Sequence, residues 1–189
     1  MDVLNIAGTR VFFIEETTST MDVARSLCKE QNEFAVVAKK QTKGRGRQGS
    51  VWISDEGGLW VSVVWRETGQ NLQKYLFMIS AISIVETLSF FGISAKIKLP
   101  NDIYARNRKI AGILIENLKD CVIIGIGINV NNRIEDKMDQ AVSCSFLLGH
   151  SLDLKKVLDV LLSNLNLAKA LFEKDAEGFL SKIKGLLIE

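Results

Sequence analysis

The chain has 189 residues, 47% of them hydrophobic and 24% charged, with a formal net charge of +2. That is enough for one domain with a real core and ordinary for a water-soluble globular protein, while the charge is too small to argue for nucleic acid. Residues 1–10 lack the apolar stretch of a secretion signal, and no apolar run reaches the roughly 20 residues of a membrane span.

Residues 11–14 read as a short apolar strand, followed by the turn Glu15-Glu16-Thr17-Thr18-Ser19-Thr20. Ser19 with Asp22 three residues on has the form of a capping box opening a helix to about residue 30. Ser19 and Thr20 therefore have a plain role as helix caps beside any role in a site. Residues 34–38 form a second strand and lead into Lys39-Lys40-Gln41-Thr42-Lys43-Gly44-Arg45-Gly46-Arg47-Gln48-Gly49-Ser50-Val51-Trp52. Its glycines allow close backbone approach, its arginines carry forks suited to carboxylate or phosphate, and Trp52 offers a flat face for a heterocycle.

Gly44-x-Gly46-x-x-Gly49 fits the dinucleotide fingerprint and the kinase glycine-rich loop by letters alone. The first requires a helix to begin inside the motif, yet a β-branched, aromatic run at 59–66 follows a turn at Gly57-Gly58. The second fails because no H-R-D or D-F-G appears and the chain is too short.

The run at 59–66 is a strand, with Trp60 and Trp65 as core residues or as an edge or face for a homodimer or a docked protein. Residues 67–71 read as a connection, and helical spacing predicts a buried helix over 72–91, ended by Gly92. Residues 95–99 alternate as a strand, and Pro100 pushes Leu99 to extended geometry. Residues 103–105 and 109–116 read as hairpin arms around Arg106-Asn107-Arg108, and 121–130 as a buried strand whose glycines let something lie against it. From 153 onward the spacing is helical, with a second short helix at about 176–187. The pattern predicts an α+β fold, a mixed sheet with helices on one face.

Three segments supply convergent polar groups: Ser19-Thr20, the 39–52 loop, and residues 100–112 with Asn101, Asp102 and Lys109, beside Lys98. A carboxylate among cations suits Mg²⁺ near a phosphate, and a fixed lysine suits charge on a transferring phosphoryl. A turn acid and a surface lysine account for the same letters. His150 is the only histidine and lies in a loop, so no Ser-His-Asp or Cys-His set presents itself. Cys28, Cys121 and Cys144 share no metal-ligand spacing, and so sparse and odd a set suits reduced thiols in a cytoplasmic protein.

Three motifs in register, the loop ending Lys43-Gly44-Arg45-Gly46-Arg47-Gln48-Gly49-Ser50-Val51-Trp52, then Lys98-Leu99-Pro100-Asn101-Asp102-Ile103-Tyr104 with Arg108-Lys109-Ile110-Ala111-Gly112-Ile113-Leu114-Ile115-Glu116, then Gly125-Ile126-Gly127-Ile128-Asn129-Val130-Asn131, resemble biotin protein ligases. Thr18-Ser19-Thr20-Met21 fits as well, and the resemblance covers essentially the whole chain as that family's catalytic domain, with a class II synthetase-like, biotin–lipoate ligase-like fold. It implies an ATP- and Mg²⁺-dependent enzyme that activates biotin as biotinyl-5′-AMP and transfers it to a lysine of a biotin carboxyl carrier protein. It implies Ser19, Thr20, Gln41, Gly44, Arg45, Arg47, Lys109, Gly112 and Gly125 on the biotin side. Trp52, Asn101, Arg45, Lys109 and Asn129 would serve the nucleotide, with Lys109, Arg45 and Asp102 catalytic and Asp102 near the metal.

By that comparison residues 1–189 form a single catalytic domain, without the helix-turn-helix that precedes some members or the small β-barrel that follows many. No DNA or membrane partner is expected. Ser50 stands where a basic residue is common. The alternatives are a lipoate or octanoate ligase or transferase, against which the Gly-Arg-Gly-Arg loop followed by Trp argues, and a non-catalytic biotin-binding sensor.

Overall fold

The structure is a computed structural model describing residues 1–66, 70–181 and 183–188. Two strands, β1 (Asp2–Ile6) and β2 (Thr9–Thr17), open the chain, followed by α1 (Thr20–Leu27), β3 (Phe34–Gln41), β4 (Leu59–Arg66) and α2 (Gln70–Phe90). Then come β5 (Lys96–Lys98), β6 (Asp102–Ala105), β7 (Arg108–Asn117), β8 (Cys121–Ile128), α3 (Cys144–Leu148), α4 (Leu154–Lys174) and α5 (Ala176–Ser181). All the strands lie in one 8-stranded sheet of order β1-β2-β3-β4-β8-β7-β6-β5. Only β2 and β3 pair in parallel, across α1; the other neighbours are antiparallel.

The central strands are apolar on both faces, as strands covered on both sides must be. Their alternation divides the residues cleanly. Val61, Val63 and Trp65 of β4 and Val122, Ile124 and Ile126 of β8 join the large core under α2, α4 and α5. Val64, Cys121 and Ile123 face the other way and pack with Met21 and Ala24 of α1 and with Cys28 at its C-terminal cap. Helices therefore cover both faces, which corrects the expectation of one: α1 is short enough to cover only part of its face, and the uncovered part holds the cavity described below. In α2 the buried hydroxyls of Ser80, Ser83 and Thr87 bond back to the carbonyls of Leu76, Ile79 and Ser83. That lets a helix buried on most sides carry polar residues.

Several expectations change. Strand β1 was not foreseen; it pairs with β2 through a two-residue turn in which Ala7 has φ 50° and Gly8 φ 78°. The same turn chemistry serves the foreseen hairpin, where Arg106 and Asn107 have φ 47° and 61°. The first helix stops at Leu27, short of residue 30, and Ser143 caps an unforeseen short helix by accepting from Phe146 N–H. The late helix expected to about 187 ends at Ser181. Of the connection expected at 67–71, residues 67–69 lie outside the described residues, and α2 begins at Gln70.

Two corrections bear on function. Strand β4 lies between β3 and β8 with Trp60 and Trp65 buried, so it offers neither an edge nor a face for a homodimer or docked protein. Cys28 and Cys121 are joined by a disulfide across a sequence separation of 93, and only Cys144 is free. Sequence spacing gave no hint of the pair because α1 and β8 meet only in the folded sheet. Two of the three cysteines are therefore oxidised, not the reduced thiols expected. Burial pushes the Cys144 thiol up to about 12, so it stays protonated and inert at neutral pH. No helix among the described residues is long and apolar enough to cross a membrane.

Candidate active site

A cavity of about 470 Å³ opens on the α1 face of the sheet, a size suited to a small organic ligand. Gly112 of β7 and Gly125 and Gly127 of β8 form its floor, because side chains at these alternate positions would point into it. A Cβ on Gly125 would come within 2.8 Å of the Met21 sulfur, and one on Gly127 within 2.5 Å of Trp52 Nε1. The Trp52 indole lies along this floor, edge-on to Trp60 with ring centroids 6.4 Å apart. Its buried Nε1 has no hydrogen-bond partner.

Part of the lining is neutral. Ser19 caps α1, its Oγ accepting from Met21 N–H at 3.3 Å. Asp22 does not return the bond as a capping box would; it turns to Arg45. Thr20 is buried and bonded to Gln41, whose side chain also reaches Ser54.

Other lining residues are charged. The 43–51 segment forms a closed loop: Gly46 N–H donates to Ser50 O at 2.7 Å and Trp52 N–H to Gly44 O at 2.9 Å. A left-handed Gln48 (φ 53°) shapes its tip. Arg45 Nη1 lies 2.7 Å from Asp22 Oδ1 and its Nη2 lies 3.6 Å from Glu116 Oε1. Arg25 holds the second oxygen of Glu116 in a short ion pair, and that hydrogen bond raises the Arg25 pKa above its ordinary value. The result is a charge-balanced quartet on α1, the loop and β7. Arg47 is exposed and also lines the cavity.

Lys109 Nζ lies 2.7 Å from Asp102 Oδ1 and 5.0 Å from the centre of the Trp52 ring. The ion pair lies outside hydrogen-bonding geometry, so that buried oxygen lacks a hydrogen-bond partner. Both side chains are about a quarter exposed, at 27% and 21%. No group of His, Cys, Asp and Glu able to enclose a metal occurs among the described residues.

Of the residues singled out from sequence, Ser19, Thr20, Gln41, Arg45, Arg47, Trp52, Asn101, Asp102, Lys109, Gly112, Gly125 and Asn129 all line this cavity. Gly44 does not line it; it is buried beneath, where a Cβ would lie 2.3 Å from Trp52 O. Lys98 sits over the Tyr104 ring outside the lining, and His150 is exposed, with Nδ1 3.1 Å from Ser151 O. Sequence reasoning missed Asp22 and Glu116 as partners of Arg45, and Ser54 and Ser62 as buried hydroxyls. Ser62 did leave a signal: it is a polar residue in the middle of the apolar run Leu59-Trp60-Val61-Ser62-Val63-Val64-Trp65, and buried polar groups need a partner.

Residues 13–129 match the biotin/lipoate A/B protein ligase family. The chain is 36% identical over 172 residues to the bifunctional ligase/repressor BirA of Bacillus spizizenii, covering 83% of this chain and 53% of that protein. It thus spans about half the length of the curated relatives it matches first. The biotin protein ligase from Aquifex aeolicus in complex with biotin and ATP superposes with a TM-score of 0.84 at 35% identity, over 94% of this chain and 78% of that one. The Leishmania major biotin protein ligase in complex with biotinyl-5-AMP gives 0.81 at 26% identity, over 94% and 81%.

Proposed function

The chain belongs to the biotin/lipoate A/B protein ligase family, and from that premise we propose that it is the catalytic unit of a biotin–[biotin carboxyl carrier protein] ligase. In the first step a biotin carboxylate oxygen attacks the α-phosphorus of ATP and pyrophosphate leaves, giving biotinyl-5′-AMP. In the second, the ε-amine of a carrier-domain lysine attacks the acyl carbon, losing a proton as AMP departs. The observation that carries this reading is one cavity lined by the uncharged Thr20 and Gln41 and by Arg45, Arg47 and Lys109, of which Arg45 and Lys109 are held by carboxylates. A small ligand with an uncharged polar head and an anionic tail matches that lining.

Thr20 and Gln41 would hold the vitamin head, with Ser19, Gly112 and Gly125 shaping its pocket above the buried Gly44. Arg45, Arg47 and Lys109 would face the carboxylate and the phosphate, where placed cations offset the repulsion of two anions brought together. Trp52, Asn101 and Asn129 would lie on the nucleotide side. Lys109 would stabilise charge on the reacting oxygens, held in place by Asp102. Asp102, ion-paired through Oδ1 to Lys109 and in no cluster of three metal ligands among the described residues, would meet a Mg²⁺ held mainly by phosphates and water, and the ion would shield phosphate charge. A closed loop over the site would keep water from the hydrolysable anhydride.

Incubation with labelled biotin, MgATP and an acceptor carrier domain tests the proposal. Label on the carrier supports it; bound biotinyl-AMP without transfer would make the chain a sensor, and activity confined to lipoate or octanoate would move the substrate class. The loop's Gly-Arg-Gly-Arg followed by Trp52 favours biotin over those acyl groups.

A further inference from the structure

Beneath the neutral part of the lining runs a chain of buried hydrogen bonds. Thr20 N–H donates to Gln41 Oε1 at 2.8 Å, and Thr20 Oγ1 lies 3.1 Å from the same oxygen and 2.8 Å from Ser62 Oγ. Gln41 Nε2 donates to Ser54 Oγ at 2.8 Å, and Ser54 Oγ donates to the Trp52 carbonyl at 3.1 Å. Ser62 is fully buried and Ser54 is 4% exposed.

The polarity of this chain has one solution. A backbone N–H can only donate, so Gln41 Oε1 is the acceptor and the amide cannot be flipped. The Thr20 hydroxyl therefore gives its proton to Gln41, and Ser62 must donate to Thr20. At the other end Gln41 Nε2 supplies a proton to Ser54, which passes its own to the Trp52 carbonyl. One Nε2 proton of Gln41 is left over, as is one lone pair on Thr20 Oγ1, and both residues line the cavity. Gly44 marks the same path, since a Cβ there would lie 2.4 Å from Ser54 Oγ.

We propose that Ser54 and Ser62 are positioning residues that set substrate selectivity. By locking Gln41 and Thr20 they present a donor and an acceptor side by side, the pattern that a cyclic urea complements with its carbonyl oxygen and ring N–H. A dithiolane or a plain alkyl chain has neither group. This rests on the biotin ligase reading and deepens it: neither serine touches substrate, and each acts through the residue it holds.

The test compares adenylation of biotin with that of octanoate in the full chain and in Ser54→Ala, with circular dichroism melts as the fold control. Loss of one buried partner predicts a rise of about tenfold in KM for biotin with kcat little changed. Use of octanoate should stay within about twofold, so the selectivity ratio falls with the biotin KM, and Ser54→Thr should restore it. Ser62→Ala should act in the same direction. Should an alanine variant fail to fold, Ser54→Cys keeps the volume with a weaker donor and should show the same loss of selectivity. An unchanged biotin KM in folded variants, or equal losses for biotin and octanoate, would overturn the assignment while leaving the ligase reading intact. Failure of the unaltered chain to activate biotin would overturn both.

Discussion

The Ser62-Thr20-Gln41-Ser54 chain and the Arg45-Asp22-Glu116-Arg25 quartet are both anchored on α1, through Thr20 in one and Asp22 and Arg25 in the other, yet they differ in charge, burial and dependence on solvent. The first is uncharged and mostly buried, and each proton in it has a single place. The second is charged and partly exposed, with the Arg45 and Asp22 side chains 34% and 46% accessible. Buried neutral networks are costly to leave half-made, so they hold one geometry. Exposed ion pairs contribute little and are screened by salt, so they can exchange partners. The comparison teaches that the part of the site proposed to meet the vitamin head is a rigid layer. The Arg45 guanidinium, proposed to meet an anion, is held by carboxylates that a ligand's carboxylate or phosphate would replace at small cost.

The largest expected effect lies where charge meets the reacting atoms. Lys109→Ala should slow single-turnover pyrophosphate release by about 10²–10³-fold, the scale of losing one placed donor at developing charge, without a matching loss of thermal stability. Unchanged kinetics would remove Lys109 from its role. Because α1 carries residues of both regions, its tether to β8 tests whether they stand on common ground. Reducing the Cys28–Cys121 disulfide should lower unfolding free energy in urea by about 2–4 kcal/mol, and a reductant-insensitive transition would show that α1 is held by packing alone.

A smaller effect separates the two regions. Gly127→Ala would press a methyl on the Trp52 indole, now 2.5 Å from where that Cβ would be, and overpacking of this kind costs about 1–3 kcal/mol. Isothermal titration should show weaker nucleotide binding with biotin affinity nearly kept; equal loss of both would tie Trp52 to the vitamin end. The smallest effect belongs to the quartet. A double-mutant cycle of Asp22→Asn and Arg45→Gln should give a coupling of at most about 1 kcal/mol at low salt, fading as ionic strength rises. A coupling that persists in high salt would place the pair among the rigid contacts and end the contrast.

Much of the fold was legible because strands and helices obey local rules. The apolar runs at 34–38, 59–66 and 121–130, the helical spacing at 72–91 and the turn chemistry at 106–107 each reflect a preference that a few neighbouring residues fix. Strand β1 escaped because its first four residues are exposed and carry no apolar alternation. The short helix at Cys144–Leu148 has too few residues to show a period. Most of the candidate site was legible as well, since Gln41, Arg45, Trp52, Asp102, Lys109 and the glycines lie in compact motifs. Ser54, Ser62, Asp22 and Glu116 were not, because their importance is a partner and not a pattern.

By itself the sequence determined most of the strands and helices, though not β1 or α3, and which loop would carry cations, since those follow from propensity, periodicity and residue chemistry at short range. Only the tertiary structure decided that Cys28 meets Cys121, that β4 is interior, and that Thr20, Gln41 and Ser62 share one network. Those facts depend on sheet order and on which face each side chain takes. Both are set by how buried surface is shared among segments far apart in the chain, a quantity no local stretch contains.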